Sequence, residues 1–440
     1  MNKKEHSRRR KQLMDMIGSD SIAIIPTGSI CIRNRDIEFP FRPDSDFYYL
    51  TAYPEPEAVA VLIPDRTDGE FILFCRESDE KMETWHGRRS GLQGAMDIYD
   101  ADDAFPIEDI DDILPGLIEG HERIFYNMGS DQSFDQRVMA WVKQIREQSR
   151  AGLVAPDEFI SLNHFLHDMR LYKSKLEIKL MRQAAKISSK AHDRAMQNCK
   201  PGMYEYQIEA ELMHEFLRNR SNGFAAAAYP SIVGSGANSC ILHYTENQDE
   251  INDGDLLLID AGAEYQGYAS DVTRTFPASG RFSKSQRQAY DLVLAAQLAA
   301  IEEVKPGNHW NDPHDAAVKV LTEGMVALGI LKGDPKKLIK DKSYIKYYMH
   351  RTGHWIGMDV HDVGDYKIDG EWRMLEPGMV MTVEPGLYMP AGSPSLSKKW
   401  WNIGIRIEDD VLVTKDGYEV LSRDAVKQAD EIEKIMTNVA

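Results

Sequence analysis

The stretch LLLIDAGAEYQGYASDVTRTF, residues 256–276, decides how the carboxy-terminal part of the chain is read. An apolar run, Leu256-Leu257-Leu258-Ile259, ends in Asp260, and Asp271 follows across a turn. Consecutive aliphatic residues suit a strand buried on both faces, where a terminal carboxylate is costly to ionise. A hairpin turning between Tyr265 and Gln266 sets Asp260 directly opposite Asp271, on one face, with Cβ atoms about 4.5–5.5 Å apart. Like charges in that position destabilise a sheet, so the expectation is a cation between the two acids or a shared proton. This stretch alone also permits a longer turn with the acids apart in solvent.

Other acids stand in similar places. In GMVMTVEPG, residues 378–386, Glu384 closes an apolar run and shares a face with Val380 and Thr382. In NIGIRIEDD, residues 402–410, Ile403, Ile405 and Ile407 alternate with Gly404, Arg406 and Glu408, which puts Arg406 and Glu408 on one face. Histidines gather in YMHRTGHWIGMDVHDVGDY, residues 348–366, as His350, His354 and His361, and His243 stands in CILHYTEN. Three imidazoles within twelve residues, in a chain with 13, favour ligation or acid–base work over packing. Two Asp, two Glu and one His form an oxygen-rich donor set that does not suit a structural zinc site. Four carboxylates outweigh one divalent ion and fit two ions about 3.5–4 Å apart. Hard oxygen donors favour Mn²⁺, and the stronger-binding Co²⁺ or Zn²⁺ could occupy the same positions.

The 440 residues are too many for one typical core and imply two domains. A net charge of −18 argues against nucleic acid as a partner. The one basic cluster, Lys3-Lys4 with Arg8-Arg9-Arg10-Lys11, is read as the solvated face of a first helix, since Leu13, Met14 and Ile17 follow at helical spacing. Four scattered cysteines read as free thiols in a reducing compartment. The amino terminus has no apolar segment of a secretory signal, and no run approaches a membrane span, so a cytoplasmic protein is expected.

Strands are expected at 22–26, 59–63, 71–75 and 124–126 and a helix at 134–146, which makes residues 1–170 an α/β amino-terminal domain. The aromatic- and proline-rich stretch 39–59 could by itself be a packed loop before a strand, and composition does not decide. Residues 171–440 open with Ser174 and Glu177 in capping-box spacing before a long amphipathic helix. Ser283 and Gln286 repeat that device, and Pro201-Gly202 recurs as Pro306-Gly307. Two copies of helix–Pro-Gly–helix–strands imply an α+β domain with a pseudo-two-fold repeat, its site between the halves.

The ordered set Asp260, Asp271, His354, Glu384 and Glu408, in the contexts IDAG, SDVTRTF, HWIGMDVHDVG, TVEPG and GIRIEDD, resembles the dinuclear metallopeptidases of the pita-bread fold. That group includes methionine aminopeptidase, prolidase, aminopeptidase P and the creatinase relatives. RPDSDFYYLTAYPEPEAV and WHGRRSG extend the resemblance over the amino-terminal domain, toward the aminopeptidase P branch. The resemblance implies that Asp271 and Glu408 bridge two metals, Asp260 completes one ion, and His354 with Glu384 completes the other. It implies a water or hydroxide between the ions as nucleophile, with Glu384 carrying the proton to the leaving proline nitrogen. His361 would stabilise the tetrahedral intermediate, His243 and His350 would line the proline side, Arg406 would orient the carboxylates, and Trp85 would line the entrance from a neighbouring subunit. The implied substrates are peptides with proline second, and the implied assembly is a homodimer or homotetramer.

One departure is Arg351, where the group commonly has glycine after the first histidine of the motif. It bears on fine specificity. The alternatives are a prolidase, which cuts Xaa-Pro dipeptides with the same donor set, and a non-catalytic binding module, which typically loses ligands that all stand here.

Overall fold

The computed structural model describes residues 3–437 apart from 221–223 and 225. The chain divides into two compact units, Met1–His167 and Asp168–Ala440.

The amino-terminal unit is built on a six-stranded mixed sheet in the order Asp103–Pro106, Phe71–Cys75, Val59–Leu62, Ser21–Pro26, Arg123–Phe125, Glu158–Ile160. Ser21–Pro26 runs antiparallel to Val59–Leu62 and parallel to Arg123–Phe125. Ile22, Ile24, Val61, Ile72 and Phe74 are fully buried, as the unbroken apolar runs of these strands demand. The aromatic stretch is more ordered than a loop. Asp44 accepts the backbone N–H of Phe47 and starts the helix Ser45–Thr51, whose side chains are all buried.

The expectation of a solvated basic face on the first helix, Lys3–Ile17, holds for Lys4, Arg8 and Lys11 and fails for Arg9 and Arg10. Arg9 donates to the Tyr49 carbonyl at 3.0 Å with its guanidinium 3.8 Å over the Tyr49 ring. Arg10 donates to the Leu50 carbonyl at 2.9 Å and lies 4.2 Å over Phe71. Carbonyl acceptors and aromatic faces receive both cations in the interior.

In the carboxy-terminal unit the two halves repeat as expected. Both capping boxes form, at Ser174 with Glu177 and at Ser283 with Gln286. They open the helices Lys175–Asn198 and Lys284–Ile301, followed by Glu205–Arg218 and Asp312–Ala327. The first half carries the antiparallel order Thr273–Pro277, Leu256–Asp260, Ile232–Ser235. The second carries Val380–Val383 paired with Asp409–Val413, and Gly386–Met389 paired with Ile403–Arg406. The halves join where the Arg406 N–H donates to Thr275 Oγ1 at 3.2 Å and the Glu408 N–H donates to the Thr273 carbonyl at 3.1 Å.

The expected hairpin register is wrong by two residues. The turn is centred between Gln266 and Gly267, so Tyr265 pairs with Tyr268, Glu264 with Ala269, and Asp260 with Thr273. Gln266 at φ 53° and Gly267 at φ 82° both take the left-handed region, as a two-residue hairpin loop requires. Asp271 is therefore diagonal to Asp260, and the even shift keeps both on one face. Gly262 permits the approach of the two arms, since a Cβ there would lie 1.7 Å from the Ser270 carbonyl oxygen.

Candidate metal centre

Each acid of the site is delivered by the end of a buried strand. Asp260 closes Leu256–Asp260, Asp271 precedes Thr273–Pro277 by two residues, Glu384 follows Val380–Val383, and Glu408 lies between Ile403–Arg406 and Asp409–Val413. Together with His243, His350, His354, His361 and Arg406 they line one cavity of about 260 Å³. Nine of the ten residues singled out from the sequence thus meet in one place. The tenth, Trp85, belongs to the amino-terminal unit, in the helix Glu80–His86, and is 77% exposed.

His354 Nε2 is 3.3 Å from Asp271 Oδ2 and 3.8 Å from Glu384 Oε1. Its Nδ1 is 2.9 Å from the Trp355 carbonyl oxygen, which makes Nδ1 the donor and turns Nε2 toward the acids. Arg406 Nη2 donates to Asp260 Oδ2 at 2.6 Å and its Nη1 to the Tyr388 hydroxyl at 3.1 Å. Tyr388 also meets His350 Nε2 at 2.8 Å. Two further partners, Tyr229 and Thr273, complete the site. The Tyr229 hydroxyl lies 2.6 Å from Asp260 Oδ1 and 2.5 Å from Asp271 Oδ1. Thr273 Oγ1 donates to Glu408 Oε2 at 2.6 Å. Thr273 was findable, because it shares a strand face with Asp271 by period two.

The electrostatics are those of a crowded acid cluster. Burial pushes Glu384 up to about 7, against the lowering charges of His354 and Arg406. Burial, then Asp271 and Glu384, hold Glu408 well above the usual carboxylate range. Burial also raises Asp260 despite Arg406. On Asp271 burial acts upward, but the hydrogen bond and charge of His354 outweigh it and the carboxyl is lowered. Burial pulls His354 down, yet Asp271 and Glu384 carry it up to about 9. Four carboxylates thus face the guanidinium of Arg406 and the imidazole of His354, while Arg351, also on the cavity wall, turns its guanidinium to Asn311 and Trp372, and the cations beside the acids do not balance them.

A divalent cation fits this donor set. Ligand atoms of Asp271, His354 and Glu408 lie within 4.8 Å of one another, and Asp260 and Glu384 line the same cavity. Hard carboxylate oxygens with one imidazole suit a small divalent ion, and the raised carboxyls are the groups such an ion would hold ionised.

Comparison with known proteins agrees with this geometry. The profile of metallopeptidase family M24 matches residues 179–415, and that of the aminopeptidase P N-terminal domain matches residues 6–126. The chain is 43% identical to the Xaa-Pro aminopeptidase of Escherichia coli (strain K12) over 437 residues, covering 99% of this chain and 98% of the relative. It superposes on the aminopeptidase PepP of Pseudomonas aeruginosa with a TM-score of 0.98 at 55% identity, covering 100% of this chain and 99% of that one. Zinc-substituted E. coli aminopeptidase P in complex with product superposes with a TM-score of 0.96 at 42% identity, covering 100% and 99% of the two chains. With its acid-lined cavity set in the repeated carboxy-terminal unit, the chain belongs to metallopeptidase family M24 and carries an aminopeptidase P amino-terminal domain.

Proposed function

We propose that the chain is an Xaa-Pro aminopeptidase whose cavity holds two divalent cations, Mn²⁺ in the first instance with Co²⁺ or Zn²⁺ as substitutes. The observation that carries this reading is the convergence of three buried carboxylates, the half-buried Glu384 and His354 on one cavity, with too few protein cations to balance them. The full-length likeness to an E. coli Xaa-Pro aminopeptidase supports the substrate class. Asp260, Asp271, His354, Glu384 and Glu408 would hold the ions. When bound, the pair of ions lowers the pKa of a water and polarises the scissile carbonyl.

The chain's own groups do the rest. Glu384 carries a proton to the leaving proline nitrogen. That nitrogen carries no hydrogen while it is part of the peptide bond, so it must be protonated as it leaves. Arg406, on Asp260 and Tyr388, fixes the carboxylate from behind. His361 faces the developing oxyanion, and His243 and His350 form the wall that accepts proline. Trp85 is assigned to the entrance, contributed by a second copy in a homodimer or homotetramer, and the enzyme is assigned to the cytoplasm. Among the described residues no helix is long and apolar enough to cross a membrane.

The test is cleavage of an Xaa-Pro-Xaa tripeptide and an Xaa-Pro dipeptide by the purified protein, with Mn²⁺ and after chelation. Mn²⁺-dependent release of the first residue from the tripeptide is expected. Cleavage of the dipeptide alone would make the protein a prolidase, and cleavage unaffected by chelation would remove the metal from the account.

A further inference from the structure

His361 is exposed, and its ring makes no hydrogen bond among the described residues; it meets His354 edge-on, with 4.5 Å between ring centroids. The next residue is the opposite. Asp362 is 6% exposed, and its Oδ1 accepts from Arg170 Nη2 at 2.6 Å while Oδ2 lies 3.1 Å from Lys173 Nζ. Both cations are buried, and the same Arg170 Nη2 also reaches Asp359 Oδ2 at 2.7 Å. Arg170 and Lys173, from outside the loop that runs from His354 to Asp362, therefore balance the buried Asp362 and the more exposed Asp359 on it.

Two further details tie this cluster to the site. The Trp355 carbonyl accepts the Asp362 N–H at 2.9 Å and also faces His354 Nδ1 at 2.9 Å. At Gly357 a Cβ would lie 2.1 Å from Asp362 Oδ2 and 2.9 Å from the Lys173 Cε, so the loop closes over the ions only without a side chain there. A buried ion cluster contributes little net stability, whereas its directed charges specify one loop geometry.

We propose that Asp362 is a positioning residue: clamped by Arg170 and Lys173, it sets the backbone that presents His361 to the substrate and fixes the Trp355 carbonyl that orients His354. The proposal rests on the reading of His361 as a substrate-facing group. An imidazole with no hydrogen bond of its own takes its place from its backbone, and that backbone is pinned one residue away.

The test is a double-mutant cycle on the full chain with saturating Mn²⁺ and an Xaa-Pro-Xaa tripeptide. Asp362→Asn is expected to lower kcat/KM about 10- to 100-fold, the usual cost of losing such a support, mostly in kcat. Lys173→Gln removes one clamp and is expected to have a smaller effect in the same direction. In a His361→Ala background each change should cost less than about threefold, because residues acting through one another are not additive. Mn²⁺ affinity, measured by calorimetry on the chelated protein, is expected to fall with Asp362→Asn through His354 and to change less with His361→Ala. If Asp362→Asn does not fold, Lys173→Gln carries the same comparison. Losses that are equal with and without His361 would overturn the proposal, as would a folded Asp362→Asn with wild-type kinetics. Wild-type kinetics in His361→Ala would instead remove the role of His361, and the positioning of it would fall with that reading.

Discussion

Glu408 and Asp409 are neighbours in the chain, both buried, and they live in opposite electrostatic worlds. Asp409 accepts from Arg274 at 2.8 Å, Lys427 at 2.6 Å, Gln297 at 2.6 Å and Ser422 at 2.7 Å. Despite burial, Arg274 and Lys427 hold its carboxyl well below the ordinary range. Glu408 has the Thr273 hydroxyl and faces Asp271, Glu384 and Asp260, and its carboxyl is held well above that range. Side-chain alternation sends one to a closed ion network and the other to the cavity. A buried charge with every partner in place belongs to the architecture; one surrounded by like charges marks where the protein needs a cation from outside.

Breaking the cavity side gives the largest effect. Glu408→Gln is expected to lower kcat/KM by about 10³-fold or more, equivalent to about 4 kcal/mol of barrier, with the circular dichroism spectrum unchanged. Activity within tenfold of wild type would show that Glu408 faces the cavity without serving it. Breaking the other side should do the reverse. Asp409→Ala leaves Arg274 and Lys427 without their carboxylate and is expected to cost about 3–5 kcal/mol of stability, read from the urea midpoint. A midpoint unchanged by this substitution would remove the distinction between the two neighbours.

The comparison is sharpened by Tyr229, whose hydroxyl touches both Asp260 and Asp271. Tyr229→Phe is expected to weaken Mn²⁺ binding about 10- to 100-fold, as loss of a group orienting ligands does, and a calorimetric titration would read it. The smallest effect is the pH dependence of Asp409. Its folded carboxyl titrates below the unfolded one, so its stabilising contribution is present above the unfolded value, about 3.9, and is lost as the pH falls through the folded value. Urea midpoints of wild type should therefore drop faster below pH 4 than those of Asp409→Asn, and parallel curves would contradict the network.

Much of the site was legible because Asp260 and Glu384 close apolar runs and Glu408 ends the alternation over residues 403–407, a pattern a solvated edge does not produce. The diagonal placement of Asp260 and Asp271 was not, since it depends on Gln266 and Gly267 both turning left-handed, and only the glycine announces that. The shared face survived the error because the shift was even. Arg9 and Arg10 misread as surface for a different reason: their acceptors, the carbonyls of Tyr49 and Leu50, come from a helix some forty residues away. Tyr229 sits in AAAAYPS, where no periodicity points to a partner, and only the folded chain brings it to the two aspartates.

The central claim is that the cavity is a two-cation centre. The direct measurement is a calorimetric titration of the chelated protein with Mn²⁺, followed through to tripeptide cleavage. Two equivalents bound per chain, with cleavage restored as they bind and both lost in Asp271→Ala, is the expected result. Full cleavage with no bound ion, or binding and cleavage that survive Asp271→Ala, would contradict it.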